Sequence, residues 1–128
     1  MDEARKVFLQ KVPIFADLTD EELSQVNAHL KEIDFPAQSI IFAEGTPGDN
    51  LYFIQSGVVE IHKSVPVANS TEKIILARLQ PGEMFGEMAI FDTRPRSATA
   101  TAWFPAKVLA IANADFVNLI QQSPALGV

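Results

Sequence analysis

Hydrophobic and polar positions change their period twice along this chain. Residues 2–12 interleave charges with Val7, Phe8 and Val12, a short amphipathic helix that Pro13-Ile14-Phe15 interrupts. A strong helix start follows. Thr19 is a good N-cap, Glu22 completes a capping box, and Leu18 and Leu23 suit a hydrophobic staple. Asp20, Glu21 and Glu22 favour the positive end of the helix dipole, and Leu23, Val26 and Leu30 form an apolar stripe, so this helix is predicted over 20–30. From Ile33 the period becomes two. Strand-like runs cover 39–43, 50–55, 58–63, 73–79, 98–103 and 107–111, with turn signals at Pro36, 45–49, Ser56-Gly57, 66–71 and Pro81-Gly82. After Ile111 the helical period returns, with Phe116, Leu119 and Ile120 on one face until Ser123-Pro124.

The order is therefore N-terminal helices over about 2–31, a β-roll over about 33–112 and a short C-terminal helix over about 113–122. This predicts a mainly β fold with flanking helices, a double-stranded β-helix or jelly roll, as one domain spanning residues 1–128. Ile40-Ile41-Phe42 and Ile74-Ile75-Leu76 read as core strands, too short for membrane segments.

Composition narrows the function classes. With 128 residues, 48% hydrophobic and 20% charged, the chain is long enough for its own core. A formal charge of −6 argues against direct nucleic-acid binding, and makes any anion site a local construction working against the overall field. The absence of cysteine excludes disulfides, thiolate metal sites and cysteine nucleophiles. The first residues, MDEARKVFLQK, lack a long apolar stretch and no transmembrane run follows, so a cytoplasmic location is expected.

One stretch, FGEMAIFDTRPRSA from Phe85 to Ala98, concentrates the candidate chemistry. Gly86 lets backbone approach a ligand closely. Met88-Ala89-Ile90-Phe91 suits one helical turn, whose free N–H groups would lie beside Gly86 and favour an anion. Arg96, after Pro95, is the side chain best shaped to grip phosphate oxygens. Glu87, when ionised, only accepts hydrogen bonds and so calls for a hydroxyl donor such as a sugar OH. Together these suggest a nucleotide.

The stretch resembles the phosphate-binding cassette of cyclic nucleotide-binding domains, the family of catabolite-activator-like regulators and cyclic-nucleotide-dependent kinase regulatory domains. Phe85-Gly86-Glu87-Met88-Ala89-Ile90 and Pro95-Arg96-Ser97-Ala98 carry the match, with nine residues from Glu87 to Arg96. Glu44-Gly45, Gly48-Asp49, Leu51-Tyr52, Ser56-Gly57 and 79–83 resemble the family's turn signatures, those glycines serving turns of unusual φ. The resemblance implies that Glu87 accepts from the ribose 2′-OH and Arg96 binds the cyclic phosphate. Backbone of Gly86, Met88 and Ala98 would line the site, with Ala89 and Ser97 completing it. It implies a non-catalytic sensor for a cyclic purine nucleotide, cAMP ahead of cGMP, with no cofactor, acting on an effector domain or partner. The chain departs from the family at Pro36-Ala37-Gln38, where glycine is common, and at Arg94, best read as a solvated charge. Its residues 124–128 are too few for the family's pocket-capping helix.

Two rival classes stay open. A ligand-free interaction domain would use the cassette only to hold a loop. A metal-dependent enzyme on the same roll would need more than His29 and His62, which fall in different elements and read as surface or half-buried residues. Ser64, Ser70 and Ser97 lack a histidine at local spacing, so a hydrolytic triad has no support. Trp103 and Phe104 read as core or turn residues, not a base-stacking platform.

Overall fold

The capping box at Thr19 forms. Glu22 N donates to the Thr19 hydroxyl at 3.2 Å, and Thr19 N donates to the Glu22 carboxylate at 2.9 Å. A computed structural model of the chain describes residues 1–86 and 95–123. It opens with helix α1 (Glu3–Lys11), capped by Asp2, followed by a 3-10 turn (Pro13–Phe15) and α2 (Asp20–His29). The proline that ends α1 starts the 3-10 turn, its missing N–H being no loss at a first helical position. Leu9, Val12, Phe15, Leu18, Leu23 and Val26 are buried in one cluster, so the helices dock on the roll through the predicted apolar stripe and through Leu9.

Eight strands follow among the described residues: β1 (Lys31–Phe35), β2 (Ile40–Phe42), β3 (Asn50–Ser56), β4 (Val59–Val67), β5 (Ser70–Leu79), β6 (Met84–Phe85), β7 (Thr99–Ala102) and β8 (Ala106–Ala112). They form two antiparallel four-stranded sheets, ordered β1-β8-β3-β6 and β2-β7-β4-β5. Helix α3 (Asn113–Gln122) closes the described chain, with Phe116 and Leu119 buried against the N-terminal helices. Its end is tied back to their start, because the Ser123 hydroxyl bonds the Glu22 carboxylate. The predicted jelly roll with flanking helices is therefore the observed fold.

Several expectations need correction. The turn expected within 66–71 is present but narrower. The β4–β5 strands continue to a tight turn at Ala68-Asn69, where Ala68 takes φ 47°, and Pro66 pairs with Thr71 within the ladder. Ile40 is 60% exposed and Leu76 is 56% exposed, with Ile74 and Ile75 exposed as well, so the 74–76 run is not core, whereas Ile41 and Phe42 are half-buried and pack against the core as expected. β5 is the sheet's edge, and its residues 70–76 are exposed. The core of the roll comes instead from β3 and β8, where Leu51, Phe53, Ile54, Val108, Leu109 and Ile111 are buried. Strands β1 and β6 had no predicted counterpart: β1 is mixed in polarity and β6 has two residues. Gly48 has no positive φ, whereas Gly45, Gly57 and Gly82 do. Where relatives of this pattern often carry glycine, Gln38 itself adopts φ 69°, held by its N–H on the Ala102 carbonyl. Of the two readings for Trp103 and Phe104, core or turn, the turn is the observed one: both lie in the bend after β7, with Phe104 exposed.

The β4–β5 ladder carries a bulge. Ile61 pairs with Ala77 and His62 with Ile75, leaving Leu76 as the extra residue. Beside it, Glu60 is 3% exposed although it lies across from Arg78. Lys73 Nζ at 2.6 Å and Arg78 Nε at 3.2 Å hold its two oxygens. The Arg78 guanidinium also lies 3.8 Å above the Trp103 ring. The lysine hydrogen bond is the main cause that lowers the Glu60 pKa below 4.5; burial opposes it and Arg78 assists.

Candidate functional site

Residues 45–50 reach across to the segment that carries Arg96. Gly45 N donates to the Arg96 carbonyl at 2.8 Å, and Arg96 N donates to the Thr46 carbonyl at 2.7 Å. This reciprocal pair fixes the Arg96 backbone before its side chain is considered. Glu44 anchors the same loop, its N–H on the Thr99 hydroxyl at 2.9 Å and its carboxylate accepting from Ser64 N at 3.2 Å. Gly86 is delivered from the other side. The 80–83 turn docks on β3 through Gly82 N to the Ile54 carbonyl and Ile54 N to the Glu83 carbonyl. Met84 and Phe85 then pair with Phe53 and Tyr52.

The Arg96 side chain is 7% exposed. Nη1 donates to the Gly86 carbonyl at 3.0 Å and Nη2 to the Asn50 carbonyl at 2.7 Å. Its Cζ lies 4.1 Å from the Phe42 ring centroid and 6.0 Å from that of Tyr52. Beneath it, Phe85 and Tyr52 stack at 5.0 Å, and Phe42 sits 5.9 Å from each. Gly86 has φ 85°, in the left-handed region that glycine enters without a Cβ penalty.

These groups border a cavity of about 270 Å³. Its apolar wall is Ile61, Ala77, Leu79 and Met84, with Phe42 and Phe85 at the base. Gly86, Arg96, Ser97 and Ala98 supply the polar side. Ser97 is exposed at the rim and Ala98 is buried behind it. One buried cation facing an apolar wall suits a small anion attached to a flat, weakly polar body. Gly86, Arg96, Ser97 and Ala98 are thus brought to one pocket. Glu87, Met88, Ala89, the 88–91 helical turn and Arg94 lie outside the described residues, as do 124–128 where the expected lack of a capping helix falls.

Sequence reasoning missed Phe42 and Tyr52, which looked like ordinary strand residues. It read 45–49 as a turn without seeing that this turn holds Arg96. No alternation marked them, since Leu51 to Ile54 are all apolar and buried and Ile40 to Phe42 is a continuous apolar run. Among the described residues no group of three or more His, Cys, Asp or Glu is placed to hold a metal ion. His29 is exposed, its Nδ1 3.7 Å from an Asp115 oxygen, and His62 is half-buried on β4.

Comparison with known proteins agrees with this geometry. The family model for the cyclic nucleotide-binding domain matches residues 32–123. A CRP-like cAMP-activated global transcriptional regulator of Mycobacterium tuberculosis is 38% identical over 101 residues, covering 79% of this chain and 42% of that protein. A cAMP-dependent protein kinase regulatory subunit of Aspergillus niger is 33% identical over 115 residues, 90% of this chain and 26% of that protein. The crystal structure of Thermus thermophilus catabolite activator protein superimposes with a TM-score of 0.80 at 32% identity, covering 90% of this chain and 53% of that one. The chain thus spans less than half the length of these two curated relatives. With the cassette, the roll and the family match in agreement, the chain belongs to the cyclic nucleotide-binding domain family.

Proposed function

We propose that this chain is a non-catalytic sensor domain for a cyclic purine nucleotide, with cAMP as the preferred ligand. The observation that carries the reading is the Arg96 guanidinium, buried against the Gly86 and Asn50 carbonyls where it borders the cavity. A cyclic phosphate diester bears one negative charge and two free oxygens, a fit for one guanidinium and nearby backbone N–H groups. The apolar wall of Ile61, Ala77 and Leu79 suits the face of a purine. Glu87 is assigned to the ribose 2′-OH. Gly86, Met88, Ala89, Ser97 and Ala98 are assigned to backbone and small-side-chain contacts around the phosphate. Two relatives named for cAMP favour that nucleotide over cGMP.

In this reading residues 1–128 form one regulatory domain in the cytoplasm that needs no cofactor. Its output passes to an effector domain or partner protein, without direct nucleic-acid contact. No helix among the described residues is long and apolar enough to cross a membrane. Titration calorimetry with cAMP and cGMP tests the proposal. Saturable one-site binding of cAMP is expected, and an absence of heat and of any thermal shift at millimolar nucleotide overturns it.

A further inference from the structure

We propose that Asn113, the first residue of α3, is a positioning residue for the anion site: it ties the 45–50 loop that holds Arg96 to the start of that helix. The ligand rests on the functional reading above, whereas the contacts belong to the unliganded protein.

Asparagine favours helix caps, yet this one does not cap its own helix. The N-cap of α3 is Ala112, with no side-chain capping bond, and Asn113 stands one position inside. Its side chain reaches 65 positions back instead, Nδ2 donating to the Gly48 carbonyl at 2.9 Å. Its backbone N–H donates to the Asp49 carbonyl, also at 2.9 Å. One residue of the helix thus holds two successive carbonyls of the loop. Ala112 pairs with Asn50 in the β3–β8 ladder, so the loop enters its strand where the chain enters α3.

The same loop holds Arg96 on both sides of this tie. Gly45 and Thr46 exchange backbone bonds with Arg96, and the Asn50 carbonyl accepts from Nη2 at 2.7 Å. Gly48 and Asp49 lie between those two points. Drawing them away from α3 shifts the Asn50 carbonyl, and with it one edge of the guanidinium that borders the cavity. Linkage makes the effect reciprocal: an anion that pulls on Arg96 loads the same loop and is felt at the first turn of α3. That helix in turn packs Phe116 and Leu119 into the cluster that holds the N-terminal helices.

Asn113→Asp separates the loop tie from the helix start. An acidic residue in a first turn suits the helix dipole, but an ionised carboxylate cannot donate to the Gly48 carbonyl. Asn113→Ala removes the donor without adding a charge near the anion. Amide hydrogen exchange followed by NMR reads the loop through the Gly45 and Arg96 N–H groups, and the core through the β3–β8 ladder. In both unliganded variants, exchange at Gly45 and Arg96 is expected to quicken about threefold or more, as local opening does, with the ladder unchanged. Affinity for cAMP is expected to fall about threefold to tenfold in both, the worth of one hydrogen bond. In the parent, saturating cAMP is expected to slow exchange of the Asn113 N–H. Parent-like exchange at Gly45 and Arg96 in both variants overturns the proposal, as does a rise shared equally by the ladder, which marks a general loss of stability. Parent-like affinity in a variant whose loop has loosened overturns it too, and an Asn113 N–H indifferent to bound cAMP overturns the link to α3. A parent that binds neither nucleotide, with loop exchange changed as expected in the variants, supports the role of Asn113 in placing Arg96 and removes only the choice of ligand.

Discussion

Arg96 Nη1 donates to the carbonyl of Gly86 at 3.0 Å, and a methyl group added at Gly86 would stand 2.7 Å from that same nitrogen. It would also lie 3.1 Å from the Asn50 carbonyl oxygen, the other acceptor of the guanidinium. The substitution Gly86→Ala therefore displaces the arginine and strains a backbone at φ 85°. A stability loss of about 1–3 kcal/mol is expected by urea denaturation, with nucleotide affinity reduced at least tenfold. Gly57→Ala is the control. Its Cβ would meet the Pro105 carbonyl oxygen at 2.3 Å, far from the pocket. It is expected to destabilise as much while the folded fraction binds normally.

Arg96→Leu removes the cation together with both carbonyl contacts. Nucleotide binding is expected to weaken by about 2–5 kcal/mol, the cost of leaving a buried charge without its partner. Because Gly86 and Asn50 lose a donor as well, the melting temperature should also fall. Parent-like affinity by calorimetry would refute the assignment of the phosphate to Arg96.

For Glu87 the expected signature is a cycle and not a single loss. The parent should bind 2′-deoxy-cAMP more weakly than cAMP, by about 1–2 kcal/mol for a charge-assisted hydrogen bond. Glu87→Ala should bind both alike, and Glu87→Gln should fall between. Full additivity of the two losses would show that the carboxylate does not meet the 2′-OH.

Much of this architecture was readable before any coordinates. The capping box at Thr19 and Glu22, the helix over 113–122 and the roll between them rest on local signals that packing reinforces. Of the candidate site, Gly86 and Arg96 stood out because their residue types are chemically constrained, and the structure brings these two together. What escaped was long-range. Nothing local says that Thr46 and Arg96 exchange backbone bonds, or that Phe42 lies under a guanidinium 54 positions later. Hydrophobicity alone also misplaced Ile74, Ile75 and Leu76, since an apolar run looks the same in a core strand as on an exposed hairpin.

The Glu60 carboxylate gives the fold a defined acid sensitivity. Its folded pKa lies below 4.5, so its contribution to stability is present above that value and is lost as pH falls below it towards the folded pKa. Glu60→Gln should lower stability at neutral pH by about 1–3 kcal/mol and flatten the acid limb of the stability profile. Chemical denaturation from pH 7 to pH 3 reads both effects. An unchanged acid limb would assign the sensitivity to other carboxylates.

Discrimination between bases should be shallow. Ser97 is exposed at the pocket rim and accommodates either purine, while the wall of Ile61, Ala77 and Leu79 offers shape more than hydrogen bonds. A preference for cAMP over cGMP below about a hundredfold is expected, under roughly 3 kcal/mol. Competition of both nucleotides against one fluorescent analogue measures it, and a thousandfold preference would reveal base contacts beyond Ser97 and this apolar wall.

The extra residue at Leu76 divides the β4–β5 hairpin into two parts with different tolerance for changes in length. On the roll side, adding or removing one residue between Ala77 and Leu79 would exchange the two faces of the strand. Arg78 would turn towards the cavity, and Ala77 and Leu79 towards solvent. On the far side, the turn at Ala68-Asn69 lies beyond the pocket wall and beyond Lys73, which holds Glu60, so matched insertions or deletions at that turn leave both the binding surface and the Lys73–Glu60 pair in register. The bulge acts as a buffer between a segment whose length is dictated by the ligand site and an arm that is free to lengthen, shorten or carry an inserted tag.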